Sequence, residues 1–126
     1  MSALDNVSSQ QFVNQVHQSG GASIHAASGK LLPPGKKGFM VGGNAPSMQV
    51  PAEEFGPEHV QQFAATLPVT HSTYVGGWEH EGQVYLDASQ KVTRAKQATR
   101  LGQSRNQISV WDNKNMKEIP TGGTGE

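Results

Sequence analysis

The stretch Ser72-Thr73-Tyr74-Val75-Gly76-Gly77-Trp78-Glu79-His80-Glu81-Gly82-Gln83-Val84-Tyr85-Leu86-Asp87-Ala88-Ser89 decides the fold. Tyr74, Val75, Trp78, Val84, Tyr85 and Leu86 favour extended backbone, and Glu79-His80-Glu81-Gly82 between them reads as a turn in which Gly82 takes a positive φ. A β-hairpin over about 72–89 follows. Gly76-Gly77 in mid-strand predicts a bulge or a point where another backbone comes close.

On the C-terminal side, Thr93 reads as an N-cap, and Ala95, Ala98 and Leu101 are spaced for the buried face of a helix ending near Arg105. Gly102 and Asn106 stand near that end, where a left-handed residue is useful. Residues 107–112 then alternate apolar with polar at period two and predict a last strand half-buried through Ile108, Val110 or Trp111. On the N-terminal side, Ser8 with Gln11 forms a capping-box pattern, Phe12, Val13 and Val16 share one helical face, and Gly20-Gly21 ends that helix. Pro57 and Glu58 open another helix, whose face is Val60, Phe63, Ala64 and Leu67 and whose stop is Pro68. Between these helices, residues 22–26 and 38–41 are short apolar pieces suited to strands, separated by proline- and glycine-rich loops. The fold class expected is α+β: a small antiparallel sheet with a central hairpin (about 72–89) and a last strand (about 107–112), packed by three helices. The organisation expected is an N-terminal helix and flexible loop (1–37), an α+β core (38–119) and a flexible tail (120–126), a single domain overall.

Composition narrows the function classes. At 126 residues, with 34% hydrophobic and 6% aromatic residues, the chain has the length of one domain and a thin core. Charged residues are 16%, well under the usual quarter or so, and ten Lys plus Arg balance ten Asp plus Glu. Without a basic excess there is no general drive toward nucleic acid or an anionic membrane. The absence of cysteine removes disulfides, thiolate zinc sites and cysteine nucleophiles together. The first residues lack a basic, apolar leader and no long apolar run follows, so the expectation is a soluble protein made in the cytoplasm.

The charges are nevertheless segregated. Residues 38–90 hold six acids and no Lys or Arg, whereas residues 91–117 hold seven cations against Asp112. The simplest account is that oppositely charged surface elements of one chain lie near each other, at less than about 1 kcal/mol per exposed pair. The sharper account is that Lys96 and Arg100, one turn apart and opposite Ala95 and Ala98, present a cationic patch to an acidic partner.

Candidate chemistry is sparse. His71, Glu79, His80, Glu81 and Asp87 are titratable groups near one element, but their spacing matches no metal-ligand set, and nothing marks a buried carboxylate pair for acid–base work. Neither glycine pair continues into a phosphate-loop helix. No catalytic residue, metal or cofactor is therefore assigned. Ser72-Thr73-Tyr74 is similar to the Ser-Thr-Ser strand of ADP-ribosyltransferases, yet that family needs an upstream arginine and the first arginine here is Arg94. Trp78, beside a polar turn, is the better of the two tryptophans for an exposed interface anchor.

The pattern Tyr74-Val75-Gly76-Gly77-Trp78, then Gly82-Gln83-Val84-Tyr85-Leu86-Asp87-Ala88-Ser89, then Arg105-Asn106-Gln107 and Val110-Trp111-Asp112 resembles small uncharacterised proteins of tailed bacteriophages, particularly those of actinobacterial hosts. The resemblance covers about residues 38–119, carries no catalytic motif, and implies a phage or prophage origin. The functional expectation is a non-enzymatic phage-type protein acting by protein–protein interaction, either head- or virion-associated or an accessory factor. Its partner would be a phage head protein, a host protein or another copy of itself, bound through Trp78, His80, Lys96 and Arg100. The alternative is a small enzyme or ligand-sequestering protein with a site at His71, Thr73 and Tyr74.

Overall fold

A computed structural model describes residues 4–43, 47–68, 70 and 72–124. Along the chain run α1 (Asn6–Ser19), β1 (Gly21–His25), β2 (Phe39–Val41), β3 (Met48–Pro51), a 3-10 turn (Ala52–Glu54), α2 (Pro57–Ala65), β4 (Thr73–His80), β5 (Gln83–Val92), α3 (Ala95–Ser104), β6 (Ser109–Asp112) and β7 (Lys117–Pro120). The fold is α+β. Its seven strands form an antiparallel sheet in the order β1-β4-β5-β2-β6-β7, with β3 also paired to β5. The chain divides into two compact units, Met1–Leu32 with Ala45–Ala88 (unit 1) and Pro33–Asn44 with Ser89–Glu126 (unit 2).

In unit 1, α1 is capped by Asp5 rather than Ser8: the Asp5 carboxylate accepts the Ser8 N–H at 2.7 Å. An aspartate one turn earlier caps as well as serine and adds a charge favoured by the helix dipole, so the helix starts sooner than the capping-box pattern implied. Gly20, at φ 83, closes the helix by donating to the Val16 carbonyl at 2.8 Å. The face Ser9, Phe12, Val13 and Val16 is buried against β1 and β4 and against Val60, Phe63 and Ala64 of α2.

The hairpin turn is tighter than its polar run suggested. Glu79 and His80 continue β4, and Glu81 and Gly82, at φ 51 and 78, make the two-residue reversal. Two consecutive positive φ values match the right-handed twist of the strands. Gly76 and Gly77 pair with Ser23 and Ala22 in unbroken register, so no bulge forms. What approaches Gly77 is the Phe12 ring instead of a backbone: a Cβ there would lie 2.8 Å from Phe12 Cζ. β3 was not legible in the sequence, being four residues that end at Pro51 with only Val50 buried, a pattern typical of an edge strand.

Unit 2 joins β2 to the last residues of β5 (Phe39↔Val92, Met40↔Lys91, Val41↔Gln90) and to β6, with β7 beyond β6. Its core is small: Val41, Val92, Ala98 and Val110, with Phe39, Leu101 and Ile119 packed against them. The residue preceding α3 is Arg94, with extended backbone and no side-chain cap bond, rather than Thr93. Gly102 lies inside the helix, where a Cβ would come within 2.7 Å of Val110 Cγ1, and the left-handed position belongs to Asn106 at φ 54.

The strand expected to be last, about 107–112, is β6, Ser109–Asp112; it starts later than expected, which leaves Ile108 exposed, and β7 follows and pairs with it. Pro120 to Thr124, expected to be part of a flexible tail, are bonded to the chain. Pro120 ends β7, the Thr121 N–H donates to the Ile108 carbonyl at 2.9 Å, and its hydroxyl donates to the Gln107 carbonyl. Asn106 Nδ2 donates to Thr124 Oγ1 at 2.6 Å, while Asn106 Oδ1 accepts the Thr124 N–H at 3.1 Å. Glycine and threonine read as loose by composition, but here they supply the small volume and donors that such a clasp needs.

Candidate functional site

Strand alternation splits unit 1's sheet into two faces. Val75, Gly77 and Glu79 of β4 and Val84, Leu86 and Ala88 of β5 turn toward the helices, where Glu79 lies 3.5 Å from His17 of α1. Tyr74, Gly76, Trp78 and His80, with Gln83, Tyr85 and Asp87, share the opposite face, which no helix of unit 1 covers.

On that open face Trp78 stacks on Tyr85, with ring centroids 4.7 Å apart and planes 20° from parallel. The His80 ring lies 5.6 Å from Trp78, and its Nε2 is 3.6 Å from Glu81 Oε1. Trp78 is 47% exposed, more than any Phe, Tyr or other Trp of the described residues. A solitary exposed leucine needs no explanation, but an indole laid flat on a phenol ring and left in water is a preformed contact surface. Tyr85, three residues beyond the turn, is the member that the sequence reading missed. Its signal is the strand alternation, which with a two-residue turn sets it opposite Trp78.

Further along the same face, Tyr74 packs edge-on against His25, ring centroids 4.9 Å apart. Partial burial pushes the Tyr74 phenol above the usual tyrosine range. Thr73 points the other way: it is buried, and its hydroxyl lies 3.0 Å from both the Thr70 N–H and the Thr70 hydroxyl. His71 lies outside the described residues. Thr73 and Tyr74 therefore do not converge on one surface.

Lys96 and Arg100 belong to unit 2. Both are exposed on α3 and, with Arg94 and Gln97, line one shallow surface depression, while Ala98 and Gly102 face the core. Within unit 2, among the described residues, Arg94, Lys96 and Arg100 have no acidic side chain in salt-bridge reach. Arg105, another of the seven cations of residues 91–117, serves another end. Its guanidinium donates to the Val41 and Gly42 carbonyls at 3.4 Å and to Gln90 Oε1 at 2.9 Å.

Asn113 is a further residue without a signal in the sequence. Buried in unit 2, it donates through Nδ2 to the carbonyls of Pro33 (2.9 Å) and Lys36 (2.8 Å) and accepts the Trp111 indole N–H at 3.1 Å. It fastens the proline-rich loop to the end of β6. Trp111 is half-buried, with its N–H satisfied, which makes it a structural tryptophan in contrast to Trp78.

Among the described residues no three His, Asp or Glu side chains are grouped to hold a metal ion, and no helix is long and apolar enough to cross a membrane. Comparison with family models, with curated proteins and with solved structures finds no match.

Proposed function

We propose that the protein is a non-enzymatic binding module of phage type that holds a protein partner on the open sheet face of unit 1. The exposed Trp78, stacked on Tyr85 and flanked by His80, carries this reading. A tryptophan presented this way has the character of an interface anchor, whose truncation typically costs about 2 kcal/mol or more of binding energy. Stacked aromatics on a sheet also suit nucleic-acid bases, but unit 1 carries seven acids against Lys30 alone, and that excess repels a phosphate backbone. The phage origin rests on the sequence pattern from Tyr74 to Asp112. In that setting the module serves either as a head-associated virion component or as an accessory factor binding a phage or host protein. The enzymatic alternative drew on His71, Thr73 and Tyr74 together, but Thr73 and Tyr74 face opposite sides of the strand and His71 lies outside the described residues.

A photo-crosslinking amino acid placed at position 78 in producing cells tests the reading. The expected result is a discrete protein adduct from position 78 and none from position 62, which is also exposed but lies on α2. Equal yields at the two positions, or no adduct at 78, would remove the open face from the account. Abundance in purified particles separates the two settings, since a virion component is stoichiometric there and an accessory factor is absent.

A further inference from the structure

We infer that the occupant of the open face is a second copy of this chain, docked through the cationic face of its α3. The inference rests on the binding-face reading above and names its partner.

The acceptor is the hairpin end of unit 1. Trp78 and Tyr85 offer a flat π surface, and exposed carboxylates stand at the same hairpin end. Glu81, at the turn, is 83% exposed at its side chain, and Glu53 and Glu54 belong to the 3-10 turn tied to the hairpin tip by the Ala52 N–H donating to the Gly82 carbonyl at 2.9 Å. An aromatic face with carboxylates at its hairpin end is chemistry for a guanidinium or ammonium group, which gains from the ring quadrupole and from the acids. The donor is α3, whose exposed Arg94, Lys96 and Arg100 have no acidic side chain in salt-bridge reach within unit 2 among the described residues.

Charge complementarity selects the second copy. Unit 1 holds seven acids against one lysine, and unit 2 holds nine Lys and Arg against three acids, so the two are opposite and equal at six charges while the whole chain is neutral. Two neutral copies approach without net repulsion, and each brings the complement of the other's hairpin end. Acid-to-acid and base-to-base contacts are disfavoured, so the contact joins two different patches.

That asymmetry supplies the test. Light scattering on the full chain should give a mass above the 13.4 kDa of one chain at low ionic strength, falling to one chain in about 0.5 M salt, where screening is within a few ångströms. The variants W78A/E81K and K96E/R100E, all at exposed positions and checked for retained circular dichroism, should each be monomeric. An equimolar mixture of the two should recover a pair, because one intact patch of each kind remains. A wild-type mass of one chain at low salt up to about millimolar concentration would overturn the inference, and so would a mixture that fails to pair. If the chain is monomeric but position 78 still crosslinks to a different protein, the self-docking inference falls and the binding-face reading stands. If the chain self-associates but W78A/E81K has no effect, the self-docking inference falls, and the binding-face reading falls with it only when position 78 gives no adduct.

Discussion

The two units solve the problem of a thin core in different ways. Unit 1 buries large side chains, with Phe12, Phe55 and Phe63 against Val16, Ile24, Val60, Val75 and Leu86, and Phe12 and Phe55 meet edge-on at 6.4 Å. Unit 2 has a core cluster of four small side chains and adds side-chain bonds: Asn113 on the proline loop, Arg105 on β2, and the Asn106–Thr124 clasp. Burial is non-directional and scales with area, whereas a buried amide has to be matched atom for atom. The difference teaches where each unit is fragile: unit 1 fails when volume is removed, and unit 2 when one donor is.

The largest effect should come from Phe12→Ala. It empties the contact over Gly77 and is expected to cost about 3–5 kcal/mol in chemical denaturation. Asn113→Ala should follow at about 3 kcal/mol, from three lost side-chain bonds of about 1 kcal/mol each, and should leave the Trp111 N–H without its partner. Residue-resolved hydrogen exchange should then show loss of protection at Gly35 and β6 but not on α1. If Asn113→Ala costs under about 0.5 kcal/mol, unit 2 does not depend on its polar bonds and the contrast breaks.

What the sequence made legible follows the same line. Helical and strand periodicity reports burial, so α1, α2, α3 and the hairpin were readable from Phe12, Val60, Ala98 and Val84 and their spacing. β3 and β7 were not, because each is four residues at an edge with little to bury and ends in proline. Within the site, Trp78 stood out by size and position, whereas Tyr85 needed the register that sets it against the indole. The jobs of Asn113, Arg105 and Asn106 are long-range hydrogen bonds, and nothing local distinguishes such residues from loop polars. Their place in the Arg105-Asn106-Gln107 pattern has a structural cause: Arg105 holds β2, Asn106 supplies the left-handed turn and the clasp, and Gln107 offers its carbonyl to Thr121 and Gly123.

A smaller effect, of opposite sign, is expected at Ser9. It is fully buried on the core face of α1, and its hydroxyl has no hydrogen-bond partner. Replacing an unpaired buried hydroxyl by a methyl group at a helical position should stabilise the protein by about 1 kcal/mol, read as a higher denaturant midpoint at unchanged slope. A destabilised Ser9→Ala would mean that unit 1, too, contains a polar bond its packing depends on.

The smallest effect separates the units by acid. The Asp112 carboxylate is held below the ordinary aspartate range, chiefly by the Asn115 side-chain N–H at 2.8 Å, then by backbone N–H groups of the same turn and by Lys117. Asp5 in unit 1 is lowered as well, first by the Ser8 backbone N–H. A carboxyl with a lowered folded pKa adds stability that is present above its unfolded value of about 3.9 and is lost as pH falls through the folded value. The Asn115 and Ser8 amide shifts should therefore both titrate with midpoints under about 3.9. Their consequences differ, because Asp5 is exposed at the start of a helix whose face is locked in an apolar core, whereas Asp112 is a buried anchor of the β6–β7 turn. Acid should loosen β7 before α1, and Asp112→Asn should reproduce that loosening at neutral pH by discarding the charge that strengthens the bonds. Loosening of α1 first would place the pH-sensitive bond in unit 1.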